Sequence, residues 1–366
     1  MSFFTSALDR VANQKLISTQ LPNLLLSSVS IFRKPLQLPS RPAYIQVEPS
    51  IRCNLRCKMC NLTRVNSKRL DMSLDQFRNI LDQFPNVVQI HLQGLGEPLM
   101  NSDFFRMVIE AKKKGIYVST STNAILISEK IAKKIVTCGL DQMWFSLDGA
   151  TSETYEYMRV GASFHKVKEN IKRVVAQSKD SRIRLGIWFV AMKRNIHELP
   201  LLPKLATELE IQNMRVELID TWGKSVLKDF RDLLLTSKYD LARLVDFSNT
   251  AERIARSRKL ELEFNPRMKS VINRSRLPGC WAPWLSAYIT VEGFITPCGR
   301  RPDPGIFSYG NLFKERFLDI WNNSLYQTFR YGLTVGKVPA ICNDCSFAYS
   351  TSSVSFLKYL ATFLKV

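Results

Sequence analysis

The chain has 366 residues, 45% of them apolar, and sets 52 Lys and Arg against 32 Asp and Glu for a net charge of +20. That length fits one large domain plus a smaller one, and the composition excludes a disordered or collagen-like chain. No apolar run reaches the roughly 18 residues of a membrane-spanning helix, and the first residues lack the layout of a secretory signal.

Residues 1–42 read as a basic extension, with Asp9 its one acid against Arg10, Lys15, Arg33, Lys34 and Arg41. Phe4, Leu8, Val11 and Ala12 recur at helical spacing, and Pro35, Pro39 and Pro42 punctuate a linker. From residue 43 strands and helices alternate. Strands are predicted at 43–50, 87–98, 116–123, 141–149, 182–192 and 214–220. Helices are predicted at 73–84, with Ser73 as N-cap, and at 102–115, 128–139, 163–177 and 197–210. Six strands separated by helices imply a parallel sheet whose ligand site lies beyond the strands' C-terminal ends. A further helix at 238–258 and a short strand at 260–265 follow. From about residue 277 the strands shorten and glycines mark turns. The tail at 346–366 has no acids and carries a helical stripe of Phe356, Leu357, Leu360, Phe363 and Leu364 beside Lys358 and Lys365. Such a stripe usually packs on its own domain; a membrane-surface or partner helix is the alternative.

Seven of the eight cysteines fall into two groups, Cys53, Cys57 and Cys60 within CNLRCKMC, and Cys280, Cys298, Cys342 and Cys345. Clustered spacings of this kind point to metal ligands in a reducing, cytoplasmic compartment rather than to disulfides. Thiolates close iron–sulfur clusters in fours, so three at CxxxCxxC leave one iron of a four-iron cluster without a protein ligand. Zinc, the alternative, takes four N or S ligands, commonly from paired CxxC units, and no fourth Cys or His lies near this triplet. Cys138 has no cluster partner and reads as a buried core thiol.

With CNLRCKMC at the end of the first predicted strand, the chain resembles the radical SAM family. The resemblance implies that S-adenosylmethionine chelates the open iron through its amine and carboxylate. Electron transfer then cleaves the sulfonium to a 5′-deoxyadenosyl radical, while the protein holds substrate and excludes water. Gly94, Leu95, Gly96, Glu97 and Pro98 resemble the family's GGEP motif, which binds the methionyl amine, with Leu95 in place of a glycine. Thr122 and Asn123, within TSTNA, resemble its TNG, with Ala124 departing from glycine. Ser146 and Asp148, within SLDG, stand where similar residues contact the ribose. Arg159 resembles a recurrent arginine for the methionyl carboxylate, which a guanidinium pairs in bidentate fashion. Met59 stands near the adenine position. Strand-end capping by small polar residues is the plain alternative for TSTNA and SLDG.

The second cysteine group resembles the SPASM/twitch extension of the same family. No cysteine follows Cys345, so the resemblance implies the shorter twitch form with one auxiliary [4Fe-4S] cluster, fully ligated by protein. It would act as a redox relay or as an anchor for the substrate cavity, and a zinc ribbon is the alternative. Together these readings give an α/β chain. A partial (β/α)6 TIM-like barrel spans 43–265. A small C-terminal α+β twitch/SPASM-like domain spans 266–349, between the extension at 1–42 and the tail at 350–366.

For the substrate, the first expectation is a sugar or cyclitol alcohol, or another small anionic metabolite, oxidised with the auxiliary cluster taking the second electron. The alternatives are a peptide or a lipid. Residues 1–42 are too short for the added peptide-binding domain that peptide modifiers often carry. Glu217 and Asp220 on the sixth strand are candidate proton acceptors, and Arg300 and Arg301 candidate anion binders; salt-bridged structural acids and a solvated basic turn are the plain alternatives. The positive surplus favours anionic partners, including an acidic flavodoxin or ferredoxin as electron donor, and allows peripheral membrane contact. No aromatic-and-basic motif names a nucleic-acid module. The rival from another class is a non-enzymatic zinc or iron–sulfur binding protein.

Overall fold

The computed structural model describes residues 20–63, 70–219, 232–235, 237–264, 280–343 and 345. The helical pattern at Phe4 to Ala12, Asp220, the expected start of the C-terminal domain at 266 and the tail at 346–366 lie outside the described residues. Among the described residues no helix is long and apolar enough to cross a membrane.

Helix α1 (Gln20–Arg33) precedes β1 (Tyr44–Val47). The alternation then runs α2 (Leu74–Gln83), β2 (Gln89–Leu92), α3 (Phe104–Lys113), β3 (Tyr117–Thr122), α4 (Glu129–Thr137) and β4 (Gln142–Ser146). It continues with α5 (Ser152–Met158), α6 (Phe164–Gln177), β5 (Arg184–Ala191), α7 (Leu202–Glu208), β6 (Asn213–Leu218), α8 (Lys238–Ser257) and β7 (Glu261–Phe264). β1 to β7 pair in sequence order, all parallel, as crossover helices require. The helices start where a hydroxyl takes up orphan backbone N–H groups. Ser73 caps α2 in a capping box with Gln76, and Ser128, Thr151, Ser163 and Ser237 cap α4, α5, α6 and α8. Inward residues such as Phe77, Ile80, Met107, Val108, Ile135 and Ile171 bury one stripe of each helix on the sheet.

The structure differs from the sequence pattern in four places, the first being helix α1, where the pattern gives only an extension and a linker. The helix expected at 197–210 opens as a 3-10 turn, Ile196–Leu201, and turns α-helical only at Leu202. Pro200 and Pro203 lack the N–H groups that a continuous α-helix needs. The seven-residue α5 carries too short a period to be read. The C-terminal segment does not form a sheet of its own. After α9 (Ala282–Leu285), β8 (Ser286–Ile289) pairs parallel to β1, with Ile45 opposite Ala287 and Val47 opposite Ile289. β9 (Phe294–Thr296) and β10 (Gly310–Asn311) extend the same ten-stranded sheet antiparallel. α10 (Phe317–Trp321) and α11 (Ser324–Thr334) then fold back. The proline-marked stretch after α1 straps onto this segment. The indole of Trp284 donates to the Pro35 carbonyl at 2.9 Å, that of Trp321 to Ser40 at 3.0 Å, and the buried Arg330 to Leu36 at 2.9 Å. The antiparallel register carries Cys298, two residues past β9, toward the N-terminal end of β1, away from the strand ends that bear the triplet.

Candidate active site

The chain leaves β1 through Glu48 and enters the loop that carries Cys53, Cys57 and Cys60. Arg52 pairs with Asp71 and also donates to the Met100 carbonyl at 2.8 Å. The turn after β2 lies directly on this loop. A Cβ on Gly96 would strike the carbonyls of Ser50 and Arg52, and one on Gly94 would strike the Glu48 side chain, so glycine is required at both places. The Glu97 N–H donates to the Arg52 carbonyl at 2.8 Å. Its buried carboxylate accepts from the Thr122 hydroxyl at 2.6 Å, the Asn123 N–H at 2.8 Å and the Leu99 N–H at 3.3 Å. Asn123 in turn donates to Asn54 at 2.8 Å. Glu97 therefore ties the ends of β2 and β3 to the cysteine loop instead of presenting a free carboxylate. Ala124, where the family's glycine would stand, holds φ at 61°, a conformation that glycine adopts with less strain.

The loop's other side rests on the turn after α5, where Arg56 and Lys58 donate to the carbonyls of Val160 and Met158 at 3.0 Å each. Arg159 pairs with the fully buried Asp148 at 2.6 Å, and Asp148 also accepts from the Val190 N–H at 2.8 Å. Burial, the largest single influence, works against the charge on Arg159, but Asp148, Cys57 and Tyr155 together outweigh it and lift the pKa. The Arg159 Nε is buried with no hydrogen-bond partner. The same holds for both side-chain polar atoms of Asn61, directly after Cys60.

These residues open onto one cavity of about 460 Å³. One wall holds all three triplet cysteines, Met59, Asn61, residues 94–97, Thr122, Asn123, Ser146 and Arg159; the opposite wall holds Cys280, Cys298, Gly299, Arg300, Cys342 and Cys345. Gly299 packs so closely on Gln46 of β1 that a Cβ there would lie 2.5 Å from its amide oxygen. Between the walls stands a charged bridge. Glu217 on β6 pairs with Arg215 at 2.7 Å and with Arg300 at 2.6 Å, and the Arg215 guanidinium lies 4.7 Å from the centre of the Trp188 ring. Burial alone would raise the pKa of Glu217, but the two arginines together hold it below its ordinary value.

The donor sets suit iron–sulfur clusters. Burial and the neighbouring thiols push Cys298 up to about 11, and the same causes raise Cys280 and Cys342. Four thiolates crowded here would repel one another unless a cationic core sat among them. Burial likewise raises Cys53 and Cys57, while Arg159 opposes it. The triplet offers three thiols beside an unpartnered guanidinium Nε and an unpartnered amide. That arrangement fits a three-thiolate cluster with a polar, carboxylate-bearing ligand on its open iron.

Several candidates from the sequence take other places. Asp148 has no exposure and reaches the cavity only by orienting Arg159. Pro98 is buried outside the cavity wall and opens the 3-10 turn Pro98–Met100. Arg301 is buried and donates to the carbonyls of Ile341 and Arg300 at 2.6 and 2.7 Å, a structural tie and not an exposed anion binder. Cys138, by contrast, is the buried core thiol that the sequence predicts, directed at the Ile135 carbonyl. Sequence reading missed Glu48, Asn61, Trp188 and Arg215. Arg215 left a signal, since two residues before Glu217 it shares that residue's face of β6; Glu48 left none beyond standing near a strand end, and Trp188, in the middle of β5, left none.

Comparison with known proteins agrees with this geometry. Residues 47–188 match the profile of the radical SAM superfamily, and residues 280–346 match the SPASM iron–sulfur cluster-binding domain. The tungsten-containing aldehyde ferredoxin oxidoreductase cofactor-modifying protein of Pyrococcus furiosus is 27% identical over 328 residues, covering 83% of this chain and 87% of that one. The PqqA peptide cyclase of Gluconobacter oxydans is 26% identical over 321 residues, 84% of each chain. Among solved structures, Streptococcus suis SuiB bound to S-adenosylmethionine aligns with a TM-score of 0.67 at 20% identity, over 90% of this chain and 77% of that one, a likeness of fold.

Proposed function

The chain belongs to the radical SAM superfamily and carries a C-terminal SPASM iron–sulfur domain, and from that premise we propose that it modifies a peptide whose reacting residue enters the cavity between the two cysteine groups. Cys53, Cys57 and Cys60 would hold the first [4Fe-4S] cluster, with residues 94–97, Met59 and Arg159 around S-adenosylmethionine. Cys280, Cys298, Cys342 and Cys345 would hold the auxiliary one. When bound, the first cluster and S-adenosylmethionine supply hydrogen-atom abstraction through reductive cleavage of the sulfonium. The chain's own work is to bind, orient and exclude water. Arg159 receives a carboxylate, Glu97 fixes the two strand ends, and the Arg215–Glu217–Arg300 bridge with Trp188 shapes the floor on which substrate rests.

The observation that carries the enzymatic reading is the convergence of all seven clustered cysteines on one cavity. The peptide reading draws its support from the PqqA peptide cyclases among the relatives, and it displaces the sugar or cyclitol first expected from the sequence. The Pyrococcus furiosus relative favours a second reading, modification of another enzyme's metal-bearing cofactor. An acidic flavodoxin or ferredoxin is the proposed electron donor, steered by the +20 surface; turnover with such a donor should slow as salt rises.

To test the substrate class, reconstituted protein is incubated with S-adenosylmethionine, reductant and host extract from cells grown in deuterated medium, separated into peptide and small-molecule fractions. Deuterium in the 5′-deoxyadenosine from the peptide fraction supports the reading. Deuterium from the small-molecule fraction alone overturns it.

A further inference from the structure

Helix α1 is amphipathic the wrong way round. Its inward side is largely polar: the Gln20 amide donates to the Val87 carbonyl at 2.9 Å, Asn23 to Asn86 at 3.3 Å, and the Ser27 hydroxyl to Arg41 at 3.0 Å. The Arg41 N–H donates back to Asn23 at 3.0 Å. These bonds, with Leu24 and Ile31 buried on the same side, fix the helix's rotation, and Leu21, Leu25 and Leu26 cannot turn inward without stranding them. Leu21, Leu25, Leu26 and Val29 consequently point outward, between 45% and 54% exposed. Leu21, Leu25 and Val29 follow one another at four-residue intervals, one turn apart on one face.

A contiguous aliphatic face of this kind marks an interaction surface, and its charge says for what. Residues 20–43 contain Arg33, Lys34 and Arg41 and no Asp or Glu; Arg33 is exposed at the helix end. A second copy meeting this face across a two-fold axis would present the same face, with cations again and no acid to complement them. An anionic lipid surface supplies both missing complements, hydrocarbon for the leucines and headgroup charge for Arg33 and Lys34.

We propose that the outward face of α1 docks this chain on an anionic membrane surface, the helix lying in the interface with Leu21, Leu25, Leu26 and Val29 toward the acyl chains. The inference is independent of the substrate reading, because none of these residues lines the cavity.

The full-length protein is floated with vesicles of phosphatidylcholine alone and of phosphatidylcholine mixed with phosphatidylglycerol, at low and high salt. Binding is expected only to the mixed vesicles and should weaken with salt. The doubly substituted Leu25→Ser, Val29→Ser chain should lose about tenfold or more in partitioning while forming 5′-deoxyadenosine at the wild-type rate. Arg33→Glu, which keeps the aliphatic face, should weaken binding as well. No binding to phosphatidylglycerol vesicles overturns the proposal. So does binding that survives the double substitution, equal binding to neutral vesicles, or a dimer by light scattering that the double substitution dissociates.

Discussion

The loop of Cys53, Cys57 and Cys60 and the set of Cys280, Cys298, Cys342 and Cys345 face one cavity with opposite surroundings. All three triplet thiols are half-buried and stand among polar groups that lack partners, Arg159 Nε and the Asn61 amide. In the second set Cys342 and Cys345 are buried while Cys280 and Cys298 are half-buried like the triplet, and burial first, then the neighbouring thiols, raises the pKa of Cys280, Cys298 and Cys342. On the proposed assignment the first set leaves one iron open to a ligand and the second closes its cluster. Three thiols leave one iron of a cluster open for chemistry, whereas four would saturate a cluster and leave it electron transfer or support.

Substitution of one thiol on each side should break the symmetry most sharply. Cys57→Ala is expected to abolish 5′-deoxyadenosine formation and lower iron from about eight to about four per chain. Cys298→Ala should lower iron by the same amount, yet leave cleavage of S-adenosylmethionine without substrate, and abolish only the coupled product. Iron analysis and chromatography of the nucleoside read both. If Cys298→Ala also stopped cleavage, the division of labour between the two regions would be wrong.

The next effect belongs to the triplet side alone. Arg159→Leu leaves the fully buried Asp148 without its ion-pair partner, and breaking such a pair costs about 3–5 kcal/mol of stability. Arg159→Lys keeps a charge but loses the planar fork. It should fold, bind S-adenosylmethionine more weakly by calorimetry and retain cleavage at saturation. Equal affinity in wild type and Arg159→Lys would remove the carboxylate role.

Local signals made much of this legible. Ser73 announces a capping box, strand and helix periods give the parallel sheet, and CNLRCKMC with GLGEP places the first centre. What stayed hidden depends on distant contacts. The pairing of β8 with β1 joins residues 286–289 to residues 44–47, and no local pattern encodes it. Asp148 sits in a strand-end motif that suggested a ligand contact, but only the fold shows that Arg159 comes between. Helix α1 lies within what the sequence reads as an extension, and its rotation is decided by polar hydrogen bonds to residues 41, 86 and 87.

Glu48 joins the two regions behind the cavity. Its carboxylate accepts from the Leu95 N–H of the GLGEP turn at 2.8 Å, and from the Val291 N–H and Tyr288 hydroxyl of the C-terminal segment at 3.2 and 3.3 Å. Burial, opposed by these donors, raises its pKa from 4.5 to about 7. A folded-state pKa above the unfolded value means that the native chain holds a proton that the unfolded chain has released. This stabilisation is full below about pH 4.5 and is lost as pH climbs through about 7. Glu48→Gln cannot titrate. Between these limits wild type should therefore lose up to about 3 kcal/mol relative to the variant, measured by urea unfolding at both ends. Parallel stability curves would show that the donors, and not burial, govern this carboxylate.

The bridge of Arg215, Glu217 and Arg300 gives the smallest and most discriminating effect, because it spans the cavity between the two cysteine groups. The arginines hold Glu217 below its ordinary pKa, so its stabilising charge is present above the unfolded value and disappears only as pH falls through the lowered one. Around neutrality it stays ionised and makes a poor proton acceptor. As a clamp, Glu217→Gln should keep full iron content and unchanged cleavage of S-adenosylmethionine without substrate. Substrate-dependent product should fall about tenfold, near 1.4 kcal/mol of misplaced binding. The pH profile of product formation from about 6 to 8 should keep its shape in the variant, because no group that titrates there has been removed. As a general base, the same substitution would abolish product and erase an inflection that wild type shows in that range. The first outcome would make the link between the two regions a matter of holding substrate in place; the second would move a proton acceptor onto β6 and make the C-terminal segment, through Arg300, a tuner of its acidity.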